Sequence, residues 1–272
     1  TGTGATHFRA VSMISVSDAS SILISTSVMI TQSKIEYIHR LIDESLAAGE
    51  DSIELKGKFI GDDGVEALVL SEKLGEIEDL DLTSNTLTWR GAAHLSRCDR
   101  FHKLKRLYLG ENNIADKGIA ALVGAPFLDG LSVLDLRFSN IGTPGGLALA
   151  QCERFSKLQV FVLQENQVED ETLVTLAKCP SFGNLRKLNF YRTGISVNGI
   201  KILAKSKVLK KVKHLNLGRN YLHPVSAKAL AQTKTLTNIE TLLMLDTAIG
   251  DEGVKAIMDS GAFPKLKTFR VT

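Results

Sequence analysis

His94, Cys98 and His102 stand four residues apart, a spacing that would line them up on one helical face like ligands for zinc. A tetrahedral site needs a fourth ligand, and none lies near in sequence. His7, His39, His214 and His223 are scattered singly along the chain. Paired carboxylates such as Asp62-Asp63 and Asp170-Glu171 could share acid–base work. Each pair, however, falls where a helix is expected to begin, and negative charge is favoured there by the helix dipole. The stretch from Lys205 to Lys213 holds five lysines and could attract phosphates, but Leu209 and Val212 interrupt it as a loop leading into a buried strand would. A His-Glu-x-x-His pair, a phosphate-binding glycine loop, a dinucleotide fingerprint and a nucleophile elbow are all missing. The chain is therefore expected to be non-enzymatic, with no catalytic residue, cofactor or metal. Trp89, the single tryptophan, lies in a loop where it either covers a neighbouring loop or touches a partner.

The elements that carry these residues are set by a repeat. Ile77-x-x-Leu80-x-Leu82-x-x-Asn85-x-Leu87 returns as Leu104-x-x-Leu107-x-Leu109-x-x-Asn112-x-Ile114, and again from Leu131, Leu158, Leu185, Val212, Ile239 and Leu266. Every step is 27 residues, and a degenerate unit begins at Glu50. Within a unit, the Leu-x-Leu alternation predicts a short strand, while apolar residues three and four apart predict an amphipathic helix. A glycine recurs 14 residues into the unit at Gly64, Gly91, Gly118, Gly145, Gly199 and Gly253. One strand and one helix cannot bury an apolar face alone, so neighbouring units must stack. Strands pack more closely than helices, so the stack is expected to curve with strands inside.

These motifs resemble leucine-rich repeats, and the resemblance covers about residues 50–272. The helical half, rich in small residues, is similar to the ribonuclease-inhibitor-like subclass and to related bacterial repeat proteins. The resemblance implies a right-handed α/β solenoid, a horseshoe with a concave parallel sheet and convex helices, and it implies that the Asn column forms a ladder across the units. That column reads Lys58, Asn85, Asn112, Ser139, Asn166, Thr193, Asn220 and Thr247, so the ladder is expected to be looser at Ser139 and Thr193. The expected organisation is an array of nine units starting at 50, 77, 104, 131, 158, 185, 212, 239 and 266, the last incomplete. Before it comes an N-terminal cap over residues 1–49. In that cap, candidate strands run from Phe8 to Val16 and from Ile22 to Ile30, Leu23 could open a worn unit, and a helix over 34–48 would bury Ile35, Ile38, Leu41, Ile42 and Leu46.

Composition sets wide bounds. The 272 residues are 44% hydrophobic and 23% charged, with a net charge of +3, and no apolar run approaches the roughly 20 residues of a membrane span. No intact signal peptide is visible at Thr1 to Ala5, which leaves the compartment open between cytoplasmic and secreted. Residues 1–184 carry 17 basic against 25 acidic side chains and residues 185–272 carry 16 against 5, so the chain is electrically polarised along its length. Cys98, Cys152 and Cys179 all fall 21 residues into their units, in a column otherwise holding Ser, Thr or Ala. That column demands a small side chain, and a Cys152–Cys179 disulfide is not expected. Lys265, Lys267 and Arg270 would discourage pairing at the last strand's edge.

Alternation sends Leu80 and Leu82 into the core and their neighbours onto the inner face of the sheet. The exposed columns bring Tyr108, Phe138, Val133, Val160, Val162 and Tyr191 together, with Glu54, Asp79, Asp81, Glu111 and Asp135 mainly to one side. Lys187, Arg192 and Arg219 lie to the other, and Arg137 lies beside the centre. Aromatic anchors within a polar rim compose a protein interface; the plainer account is that aromatic and β-branched residues favour strands. The expected function is a monomeric scaffold binding a protein partner through Tyr108, Phe138, Val160, Val162, Tyr191, Arg192, Arg219, Asp81, Glu111 and Arg137. Two alternatives remain. The chain could be the recognition region of a larger enzyme or of a secreted, host-directed effector, or it could bind nucleic acid through its basic C-terminal third.

Overall fold

The computed structural model describes residues 30–47, 49 and 51–271. The first candidate strand and, but for Ile30, the second lie outside the described residues, as do Leu23, Glu50 and Thr272. Nine three-residue strands form one parallel sheet in sequence order: β1 Ser52–Glu54, β2 Asp79–Asp81, β3 Arg106–Tyr108, β4 Val133–Asp135, β5 Val160–Val162, β6 Lys187–Asn189, β7 His214–Asn216, β8 Thr241–Leu243 and β9 Thr268–Arg270. The register equals the repeat: Leu80 opposes Leu107, Leu107 opposes Leu134, Leu134 opposes Phe161 and Phe161 opposes Leu188. These five side chains are buried in one row. The chain forms an α/β horseshoe, with the helices on the other side of the sheet.

Helix α1 spans Gln32–Leu46, starting two residues before the expected segment and buried through Ile38, Leu41 and Ile42. It packs on α2 (Gly61–Leu68) and β1. The repeat helices continue as α3 Trp89–Ser96, α4 Ala115–Leu122, α5 Thr143–Ala150, α6 Glu169–Leu176, α7 Val197–Leu203, α8 Pro224–Ala231 and α9 Gly250–Asp259. One apolar cluster runs unbroken from Ile38 to Phe263. Each fully buried leucine in it contributes roughly 1.5–3 kcal/mol.

Three columns that were legible only as patterns acquire causes. Asn112 donates to the Leu82 carbonyl of the preceding unit at 2.9 Å and accepts from the amides of Asn85 and Leu87 at 2.9 and 3.0 Å. Asn166 and Asn220 repeat the arrangement. Ser139 reaches the preceding unit only at 3.4 Å, and the Thr193 hydroxyl turns instead to Phe190 of its own unit. The ladder is looser at both places, as expected from side chains too short to bond in both directions.

The acidic residues at helix starts act on the next helix rather than only on their own. Asp62 accepts from the Thr88 and Gly91 amides at 2.8 and 2.9 Å and from the Thr88 hydroxyl at 2.5 Å. Asp116 serves Gly142 and Gly145 likewise, and Asp170 serves Ser196. This gives the recurring glycine a reason: a Cβ on Gly145 would sit 2.5 Å from the Asp116 carboxylate, and one on Gly91 would sit 2.7 Å from that of Asp62. In the small-residue column, the Ser206 and Thr233 hydroxyls donate to Ala177 and Ala204, the carbonyls that close the preceding helices, both at 2.6 Å. All three cysteines are free, and burial raises the Cys98 and Cys152 thiols above their ordinary pKa.

Candidate binding face

The His94, Cys98 and His102 spacing does not bring three ligands onto one open face. Cys98 is buried, and among the described residues no three His, Cys, Asp or Glu side chains come together as ligands. Trp89 opens α3 with the Lys117 ammonium 3.3 Å from its ring centroid and the Arg90 guanidinium at 5.1 Å. Its contact is therefore with the start of the neighbouring helix, away from the sheet. In the basic stretch, Leu209 and Val212 are buried, Lys211 bonds Asn184, and Lys213 pairs with Glu240 at 2.8 Å.

On the concave face, the column formed by the last residue of each strand has a structural duty that alternation could not reveal. Asp81, Asp135, Asn189 and Asn216 each accept from the amide two residues on, at 2.8, 3.0, 3.0 and 3.1 Å. These amides belong to Thr83, Arg137, Tyr191 and Gly218, just past each strand. Asp and Asn satisfy such a group locally because the carboxylate or amide oxygen reaches back to it. Asp81 is thus committed to its own turn. Asp135, expected on the exposed face, is only 2% exposed, being covered by Arg137, whose Nε donates to it at 2.9 Å. That ion pair holds the Arg137 guanidinium's pKa above its ordinary value.

Two glycines shape the centre. A Cβ on Gly110 would meet the Arg137 side chain at 2.8 Å, and one on Gly218 would meet the Tyr191 ring at 2.9 Å. Arg137 therefore leans toward the N-terminal units and Tyr191 toward the C-terminal ones, parting above Gln164. At the strand starts the floor of the face is Val133 and Val160, both partly exposed. Val162, expected beside them as an anchor, is 7% exposed and offers almost no surface. Tyr108 is partly buried next to the Arg106–Asp79 ion pair, and desolvation, with Asp79 adding to it, raises its hydroxyl's pKa. Tyr191 lies beneath the Arg219 guanidinium, 5.9 Å from its ring centroid.

A ridge borders the floor where the chain leaves the strands. Ser84, Glu111, Phe138, Glu165, Arg192, Arg219 and Asp246 occupy one column, and every one has φ between 49° and 59°. Most ridge side chains meet a neighbour: Ser84 donates to Glu111 at 2.6 Å, Arg192 to Glu165 at 2.8 Å and Arg219 to Asp246 at 2.9 Å. Phe138 stands between the two glutamates and is 45% exposed. Alternation placed the column correctly but carries no information about φ. A second hollow of about 440 Å³ lies over β6, β7 and β8, lined by Lys187, His214, Asn216 and Leu243 among others.

A family model described as "Leucine Rich repeat" matches residues 102–123, 131–150 and 235–258. Each of those segments takes in the strand and most or all of the helix of one unit, β3 with α4, β4 with α5 and β8 with α9. The chain carries leucine-rich repeats. Solved structures similar to it include an internalin (inlF) from Listeria monocytogenes, 18% identical, with 93% of this chain and 86% of that chain covered and a TM-score of 0.37. The TLR13–ssRNA13 complex is 13% identical over 76% of this chain at a TM-score of 0.46, and the plant peptide hormone receptor RGFR1 in complex with RGF2 is 20% identical over 74% at 0.41. The leucine-rich-repeat chain spans only 30% of the former and 29% of the latter. No curated protein matches the sequence. Among the described residues, no helix of the chain is long and apolar enough to cross a membrane.

Proposed function

We propose that this leucine-rich-repeat array is a scaffold that holds a protein partner along its concave face, centred on Phe138, Tyr108, Val160 and Tyr191. Phe138 carries the reading. A strand's taste for aromatic residues explains Tyr108, but Phe138 sits in a turn with φ of 49°, where an aromatic side chain is least favoured. Gly57 occupies the corresponding place in the first unit, so glycine satisfies the backbone there. Displaying a half-exposed ring at a conformational cost is accounted for by contact with something outside the chain. Arg137, Arg192 and Arg219, each held by a carboxylate of the array, present pre-oriented charge around that ring, and Glu111 and Asp81 lie on its acidic side. Val162, on the same face, is 7% exposed and lies beside the floor as part of its packed surround.

A photo-crosslinking residue at Gln164, above the floor, tests this in an extract of the source organism. We expect one dominant adduct that is lost on Phe138→Asp and absent when the crosslinker is placed at Lys201 on the helical side. The reading fails if Phe138→Asp leaves the adduct unchanged or if Lys201 captures the same species equally well.

A further inference from the structure

A different surface, at the end of the sheet where the chain enters each strand, has the chemistry of a polyanion site. A groove of about 650 Å³ crosses the array there, and its walls include Lys103, Lys105, Lys157, Arg186 and His102. The sole carboxylate in its lining is Glu78, already paired with Lys105. The Glu78 carboxyl is held below its ordinary pKa, first by that hydrogen bond and also by the charges of Lys105, Arg106 and Lys103. Lys157 and Arg186 have no carboxylate partner among the described residues. Gly130 stands between Lys103 and Lys157 in the repeat frame and leaves the groove without a side chain at that step; a Cβ there would lie 2.9 Å from the Leu104 carbonyl.

We propose that this groove binds a phosphate-bearing chain, separately from whatever occupies the concave face. From the unit of Glu78 to that of Arg186 is four steps of the sheet, about 19 Å at an inter-strand spacing of about 4.8 Å. That length exceeds a single phosphate. The cations recur along it at about 10 Å between Lys105 and Lys157 and about 5 Å between Lys157 and Arg186 by the same spacing. Arg186 supplies a planar fork suited to phosphate oxygens. Apart from the single His102 imidazole, the lining holds no aromatic side chain on which successive bases could stack, and Leu104, its one large apolar residue, is 1% exposed, which leaves an acidic peptide without an anchor. Recognition therefore goes to the phosphates and not to bases or side chains, and either a nucleic-acid backbone or inorganic polyphosphate supplies them.

Fluorescence anisotropy on the whole chain, with labelled short polyphosphate, a labelled single-stranded RNA dodecamer and a labelled poly-glutamate peptide, tests the assignment across a salt series. At low salt, Lys157→Glu with Arg186→Glu is expected to weaken binding of at least one phosphate chain tenfold or more. It should also flatten the log Kd against log salt slope by about 1.4, from roughly 0.7 per phosphate contact on a single strand. Gln159→Glu, which changes one exposed lining atom set and spares the fold, should weaken it in the same direction. Lys201→Glu with Lys234→Glu makes the same net charge change away from the groove and should alter Kd less than twofold. Which phosphate chain binds more tightly names the source. Absence of saturable binding to both, equal losses in the groove and control variants, or equally tight binding of poly-glutamate would each overturn the proposal.

Discussion

Phe138 offers a measurement in which two truncations of the same ring should differ in the sense opposite to the usual one. In the left-handed region the Cβ of an L residue crowds the following carbonyl oxygen, at a cost of roughly 1–2 kcal/mol. Glycine escapes that cost but loses about 0.5–1 kcal/mol of extra chain entropy on folding. At φ of 49° the first effect wins, so Phe138→Gly should be more stable than Phe138→Ala by about 0.5–1 kcal/mol. Val160 in β5 supplies the control: in a strand only the entropy matters, and Val160→Gly should fall below Val160→Ala by about 0.5–1 kcal/mol. Urea unfolding followed by circular dichroism reads both differences, with hydrogen exchange on the flanking units to detect opening of part of the array. Both Phe138 variants lack the ring, so partner capture should fall alike in the two while stability separates them. If alanine equals or exceeds glycine at position 138, the backbone cost is absent and the argument that the ring is displayed for contact loses its basis.

Four other outcomes follow from the same geometry. Asn112→Ala strands the Asn85 and Leu87 amides and the Leu82 carbonyl, at about 1–3 kcal/mol for each buried group left unbonded; Ser139→Asn restores a rung and should raise the urea midpoint, by about 0.5–1.5 kcal/mol in stability. Gly218→Ala places a methyl 2.9 Å from the Tyr191 ring and 3.0 Å from the Leu245 carbonyl, so Tyr191 must move off Arg219; a cost of about 1–3 kcal/mol and a changed tyrosine fluorescence should appear together, and an unaltered spectrum would contradict the packing. Glu240, hydrogen-bonded by Lys213 and Lys267 of the flanking units, has its carboxyl lowered to about 2. A depressed carboxyl stabilises the fold above its unfolded value near 4.3 and loses that contribution as pH falls toward about 2. The stability gap between wild type and Glu240→Gln should therefore be widest above pH of about 4.5 and close through that window; a gap independent of pH would count against the bridge.

Much of the fold was legible because a 27-residue period with no insertion leaves only one way to stack: Leu80, Leu107, Leu134 and Leu188 had to share a buried row, and they do. The membership of the exposed columns was legible too, since alternation of two per strand decides which side chain faces inward. The weak rungs at Ser139 and Thr193 followed from side-chain reach alone. What the period could not convey was which way each side chain leans and what it bonds. Asp135 alternates outward yet is covered by Arg137, and Val162 alternates outward yet is buried, because exposure depends on neighbours one unit away that lean toward or away from it. Asp62 and Asp170 looked like ornaments of their own helices, whereas stacking brings them, like Asp116, to the amides of the next.

The sequence by itself determined the repeat, the sheet's register and the list of residues on the hollow side, all of which are consequences of spacing along one chain. Only the tertiary structure decided that Phe138 is held in a left-handed turn, that Gly110 and Gly218 make room for Arg137 and Tyr191, and that lysines from separate units line one groove. Backbone dihedrals and contacts between units arise when equivalent positions 27 residues apart are brought side by side, and no single stretch of sequence contains that information.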